Sequence, residues 1–260
     1  MKLIRNLQAS LFYTAYTIVT IVWGTLSLLV GWLLPYRLRF RFIIGIWTRM
    51  VLLLLRLTCG VRHEVQGLEN VPDEPCILFC KHESTWETLA LQSMFSPQAT
   101  LIKRELLNIP FFGWAFRLLR PIAINRKEPR AALKQLIREG RDRLDNGIWV
   151  LLFPEGTRTA PGEVKAFQAG GSVLAASADQ PVLVITHNAG TYWPAHQFTK
   201  NPGVISLHIG EPIDTTGMKA KEINAAAHQQ MVTLTASMDQ TSRLTTDSAL
   251  VSMNSRRGST

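Results

Sequence analysis

From Leu11 to Leu34 the chain runs 24 positions without a charged residue, and nothing else limits its fold so strongly. As a helix that stretch would be about 36 Å long, enough to cross a hydrocarbon core of roughly 30 Å with some tilt. Tyr13, Tyr16, Trp23, Trp32 and Tyr36 lie partly near its ends, where amphipathic rings favour the interface. Lys2 and Arg5 precede it as they would in a signal peptide, but the stretch is too long for a usual apolar core and no small-x-small cleavage site follows Leu34. We read an anchor. A second apolar run, Phe42 to Leu57, is interrupted by Arg49 and Arg56 on one helical face. It either lies in the interface with both guanidiniums among headgroups or pairs with the first helix.

Charge is unevenly placed. Residues 1–65 hold eight cations against Glu64 alone, +7 of the chain's net +9. The remainder is close to neutral, which argues against a nucleic-acid groove in the globular part. It makes an anionic membrane surface the natural partner of the N-terminal part. By the positive-inside tendency, Arg37, Arg39 and Arg41 stay cytosolic and keep the downstream chain there. The expected location is therefore the inner (cytoplasmic) membrane, with the first helix either spanning or re-entering. Three cysteines (Cys59, Cys76, Cys80) form neither a disulfide framework nor a zinc spacing. Buried, reduced thiols suit a cytosolic catalytic domain.

After Gly67, apolar strand candidates alternate with helix candidates. The strands are 76–80, 100–103, 122–124, 148–153, 182–186 and 204–210; the helices are 85–94, 111–119, 128–144 and 169–177. That alternation predicts an α/β fold, a mostly parallel central sheet flanked by helices, behind an N-terminal hydrophobic helical anchor. The expected division is 1–65 for anchoring, 66–240 for catalysis and 241–260 as a flexible tail. A last helix over 218–240 has apolar spacing suited to packing.

Two strings stand out, each directly after a predicted strand. His82-Glu-Ser-Thr-Trp-Glu87 places an imidazole and a carboxylate five residues apart, and Phe153-Pro-Glu-Gly-Thr-Arg158 crowds a stiff entry, a glycine and a guanidinium into one turn. Sheets of this class place ligands beyond the carboxyl ends of strands. A neutral imidazole suits removal of a hydroxyl proton, and a carboxylate on its other nitrogen fixes the tautomer. Arg158 offers a planar fork for phosphate. No Gly-x-Ser-x-Gly elbow surrounds Ser84, so direct transfer is preferred over an acyl-enzyme. The apolar stretch Ile109 to Phe116 reads as a buried helix, an acyl-chain groove, or both. His187 reads as a buried histidine at a strand end.

Together these strings resemble the lysophosphatidic acid acyltransferases of the glycerolipid acyltransferase family, over residues 65 to 215. The resemblance implies a His-x4-Asp dyad at His82 and Glu87, with Glu standing where Asp is usual. It also implies acceptor binding by Glu155, Gly156, Thr157 and Arg158, by Arg126 at the end of 121–126, and by Lys165 in a Lys-x-Phe-x-x-Gly stretch. The implied reaction moves a fatty acyl group from an acyl carrier protein or coenzyme A thioester to lysophosphatidic acid, giving phosphatidic acid. No cofactor and no metal is implied. Competing readings are an O-acyltransferase for another lysolipid, such as a lyso-ornithine lipid, a thioester hydrolase, and a non-catalytic lipid-binding membrane protein.

Overall fold

The computed structural model describes residues 2–257, with side chains through Met238. The uncharged run forms α1 (Lys2–Val30). A second apolar helix, Tyr36–Cys59, follows. It comprises α2 (Tyr36–Phe40), a π turn (Arg41–Ile46) and α3 (Trp47–Cys59). Within the π turn the Trp23 indole N–H donates to the Phe42 carbonyl at 2.9 Å, a side-chain insertion of the kind that accompanies departures from the α ladder. Trp23 meets Phe42, the Trp47 indole donates to Thr20 Oγ1, and the Cys59 thiol reaches the Gln8 carbonyl. Those contacts make the two helices an antiparallel hairpin, the second of the two expected arrangements for the apolar run. Its outer side remains apolar. Leu3, Leu7, Leu11, Ile18, Val22 and Leu29 are each more than half exposed, a surface suited to lipid.

Among the described residues, seven strands form one sheet: β1 (Val61–Gln66), β2 (Ile77–Cys80), β3 (Gln98–Lys103), β4 (Ile122–Ile124), β5 (Trp149–Leu152), β6 (Val182–His187) and β7 (Gly203–Ile209). Their order is β1-β7-β6-β2-β5-β3-β4. All pairings are parallel except β6 with β7. The central strands β2 and β5 are buried at every position, since both faces are covered.

Side-chain alternation sorts the core into two halves. Leu78, Cys80 and Leu151 pack with the helix hairpin, α4 (Trp86–Met94) and α5 (Phe112–Arg117). Ile77, Phe79, Val150 and Leu152 pack with α6 (Pro129–Asp145), α7 (Gly170–Ala178) and α9 (Ala220–Arg257). A short helix, α8 (Ala189–Tyr192), follows β6. Because Leu78 and Cys80 face the hairpin, His82 two residues on leaves the sheet toward that same side.

The anchor therefore shares a core with the sheet. Phe12 meets the Trp193 ring at 5.3 Å, Lys200 Nζ lies 2.6 Å from the Tyr13 hydroxyl, and Tyr36 donates to the Leu119 carbonyl. The boundary expected at residue 65 has no counterpart in the packing, and β1 already begins at Val61. At the other end, the backbone of 241–257, expected as a loose tail, continues α9. No Gly or Pro interrupts the chain from Met218 to Arg257. Residues 258–260 of that expected tail lie outside the described residues.

Candidate active site

His82 and Phe153 follow the carboxyl ends of two paired parallel strands, β2 and β5, so the two strings leave the sheet as neighbours. Their rings stack with centroids 4.2 Å apart. Glu87 lies in the first turn of α4 and folds back so that Oε1 lies 2.7 Å from His82 Nδ1. The same oxygen accepts the amides of Glu83 at 3.1 Å and Ser84 at 2.9 Å. The glutamate side chain thus reaches the imidazole across the five-residue spacing. Burial alone would push the Glu87 carboxyl up, but the imidazoles of His187 and His82 and the Ser84 amide outweigh it, holding the group below its ordinary range. With Nδ1 held by this carboxylate, Nε2 of His82 is left as the proton acceptor.

Phe153 to Arg158 forms a tight turn closed by the Gly156 amide on the Phe153 carbonyl at 2.9 Å. Gly156 has φ +72°, a conformation that favours glycine. Arg158 reaches back to the first string, donating from Nη2 to Thr85 Oγ1 at 3.1 Å. Its Nε is buried without a partner among the described residues. Arg126, two residues past β4, donates to the Gly156 carbonyl at 2.8 Å.

His82, Arg126, Gly156, Thr157 and Arg158 all line one cavity of about 860 Å³. The two strings therefore open onto a shared space large enough for a lipid headgroup and the start of a chain. The opposite wall is apolar and comes from far along the chain: Tyr16, Thr20 and Ile21 of α1, Trp47 of α3, and Ile109 to Phe112. The Ile109–Phe116 stretch is thus both packing element and groove wall. His196 and Lys103 also border the cavity.

Two expected substrate ligands are placed differently. Glu155 is 4% exposed, and its carboxylate accepts the amides of His82 at 3.1 Å and Lys165 at 3.0 Å. Both oxygens face protein amides, so the side chain ties the two strings together and does not face the cavity. Lys165 turns its amine to Glu163 at 3.9 Å on the surface, so its backbone braces the turn and its ammonium stays away from the cavity wall. The sequence reading also missed a buried ionic brace beneath the site. Lys81 Nζ lies 3.5 Å from Glu83 and 3.6 Å from Glu155, donates to Thr159 Oγ1 at 2.8 Å, and bonds the Glu163 carbonyl. The available signal was three consecutive ionisable residues, Lys81 to Glu83, directly after a strand with no exposed position.

An acyltransferase family model matches residues 62–188. The chain is 47% identical over 217 residues to the 1-acyl-sn-glycerol-3-phosphate acyltransferase of Pseudomonas aeruginosa, covering 84% of each. It is 28% identical to the 1-acyl-sn-glycerol-3-phosphate acyltransferase of Saccharomyces cerevisiae, covering 67% of this chain and 59% of that one. The crystal structure of the 1-acyl-sn-glycerophosphate acyltransferase from Thermotoga maritima superposes with a TM-score of 0.77 at 25% identity, covering 92% of this chain and 98% of that one.

Proposed function

The chain belongs to the 1-acyl-sn-glycerol-3-phosphate acyltransferase family, and we propose that His82 is the general base with which it performs that family's reaction. The enzyme esterifies lysophosphatidic acid from an acyl thioester, giving phosphatidic acid. The observation that carries the site assignment is the opening of His82, Arg126 and Arg158 onto one cavity.

The acceptor phosphate lies against Arg158 and Arg126, which places the free glycerol hydroxyl at His82 Nε2. Arg158 brings a buried Nε–H with no acceptor among the described residues, the donor an incoming phosphate oxygen satisfies. Gly156 lets the turn's backbone approach that anion, and Thr157 lines the same wall. As Nε2 takes the hydroxyl proton, the oxygen attacks the thioester carbonyl carbon. The tetrahedral intermediate collapses, the carbon–sulfur bond breaks, and the imidazolium returns its proton to the departing thiolate. Glu87 stabilises that imidazolium while it exists. Acyl chains lie along the wall shared by α1 and Ile109 to Phe112, so the helix hairpin feeds lipid from the bilayer to the site. The donor thiol belongs to acyl carrier protein or coenzyme A, and the catalytic domain works on the cytosolic side of the inner membrane.

Arg158→Ala tests the phosphate grip. It should raise KM for lysophosphatidic acid while leaving KM for the acyl thioester unchanged. Removing a charge-assisted contact of about 1.5–3 kcal/mol corresponds to roughly 10- to 150-fold. An unchanged acceptor KM would exclude Arg158 from the headgroup site.

A further inference from the structure

His187 takes no part in the steps above, yet it ends β6 beside the strand that delivers His82. Cys80 pairs with Ile185 in the parallel register, so His82 and His187 leave the sheet side by side. His187 is fully buried. Its Nδ1 accepts the Ala189 amide at 3.2 Å, and its Nε2 lies 2.9 Å from the Lys81 carbonyl oxygen. Nδ1 therefore holds no proton and Nε2 does, which fixes one neutral tautomer. The Trp86 ring meets the imidazole edge-on, with centroids 5.9 Å apart, and sets its plane.

The same Nε2 lies 3.7 Å from Glu87 Oε2. That oxygen is buried and has no hydrogen-bond partner among the described residues, whereas Oε1 collects His82 Nδ1 and two amides. A buried carboxylate with one bare oxygen is costly unless a positive dipole or charge faces it. The other ionisable groups nearby have their own partners. Lys81 is directed at Thr159, Glu83 and Glu155; Glu83 accepts the Gly162 and Gly190 amides; the Cys80 thiol faces the Lys81 carbonyl.

We propose that His187 is a positioning residue for acyl transfer: its Nε2–H is donated to the Lys81 carbonyl, and the positive edge of that N–H, 3.7 Å from the bare oxygen of Glu87, keeps the carboxylate ionised and so holds His82 in the tautomer that accepts a proton at Nε2. The inference rests on the reading of His82 as base. An imidazolium forming at His82 gains from Glu87 only while Glu87 carries charge. Without the His187 N–H, burial favours a protonated carboxyl, which no longer compels His82 to keep its proton on Nδ1.

The test compares His187→Leu, which removes the N–H, with His187→Gln, which restores a donor, in the full chain with lysophosphatidic acid and an acyl thioester. Initial rates are measured from pH 5 to 9 alongside thermal unfolding. In His187→Leu the acid limb of kcat should move up by about one pH unit, a tenfold loss at a fixed pH on that limb. KM for lysophosphatidic acid should stay unchanged, and His187→Gln should return the limb toward wild type. Overlapping wild-type and Leu pH profiles, a loss confined to KM, or a Gln variant no better than Leu would each overturn the inference. If the Leu variant does not fold, His187→Asn, whose shorter amide withdraws from Glu87, is judged by the same criteria. His82→Ala measured in parallel separates the two claims: if it is inactive while the His187 profile is unmoved, only the positioning role fails.

Discussion

At the scale of single residues the site is built from short-range constraints that the sequence partly displays. The five-residue spacing of His82 and Glu87 was visible, and a helix starting at Trp86 turns that spacing into a 2.7 Å contact. Gly156 was visible as a turn residue and has φ +72°. Gly156→Ala should cost about 1–2 kcal/mol for an L side chain in that region, seen as an unfolding midpoint lower by about 2–4 °C per kcal/mol. An unchanged midpoint would mean that the turn relaxes out of that conformation. Glu87 yields a pH prediction. Its native pKa lies below the ordinary 4.5, so its ionised form contributes stability fully above about 4.5, and the contribution is lost as pH falls through the native value. Glu83, pushed up by burial, runs the other way. The midpoint gap between wild type and Glu87→Gln should therefore be widest near pH 7 and shrink below pH 4.5. A gap constant across that range would contradict the depressed carboxylate. Side-chain direction was not legible: nothing in the string shows that Glu155 turns to the amides of His82 and Lys165 instead of a ligand.

At the scale of elements, the period of hydrophobicity located six of the seven strands. The missed one, β1, reads Val-Arg-His-Glu-Val-Gln, with Val61 alone fully buried, because it is an edge strand. Its polar outer positions look like a linker until β7 pairs with it. The short α8 was also missed, having too few residues for a period to show. What no local pattern reveals is the docking of α1. Lys200 is buried under that helix, over the Tyr13 ring at 4.1 Å and the Trp193 ring at 5.0 Å. Burial pushes its pKa down from 10.5 to about 8. A lysine whose native pKa is lowered costs stability below about pH 8, and the cost is relieved as pH rises toward 10.5. Wild type should thus gain stability between pH 8 and 10 relative to Lys200→Met, which keeps the stem and removes the amine. Parallel unfolding curves over that interval would show that the rings and the Tyr13 hydroxyl already hold the ammonium without penalty. Gly24 tests the same joint sterically, since an added Cβ would come within 2.8 Å of Phe111 Cβ. Gly24→Leu should lift α1 from the Ile109 to Phe116 segment and lower the rate on long-chain lysophosphatidic acid more than on short-chain. Equal loss on both would mean that this contact does not shape the chain-binding wall.

At the scale of the whole molecule, the helix hairpin is at once an apolar face and one wall of the cavity, so attachment and substrate access are a single design. The sequence announced an anchor and a catalytic domain as separate pieces, because charge and hydropathy change abruptly near residue 60. The fold merges them, since Phe12, Phe40 and Trp47 complete the core that β2 and β5 begin. Membrane attachment should survive high salt, being carried by apolar area, while the arginines add a salt-sensitive share of about 1 kcal/mol each near anionic headgroups. Flotation with neutral and anionic vesicles at low and high ionic strength measures both shares. Complete release at high salt would assign attachment to charge alone.

The central claim is that one imidazole, opening onto the cavity that Arg126 and Arg158 also line, transfers acyl groups to a phosphate-bearing alcohol. Membranes carrying wild type or His82→Ala, given a labelled acyl thioester and a panel of lysolipids that includes lysophosphatidic acid and a lyso-ornithine lipid, test it most directly. Wild type should yield labelled phosphatidic acid and prefer the phosphate-bearing acceptor, and the variant should lose on the order of 10²-fold or more. Equal use of the phosphate-free acceptor, or a variant that retains half of the wild-type rate, would contradict it.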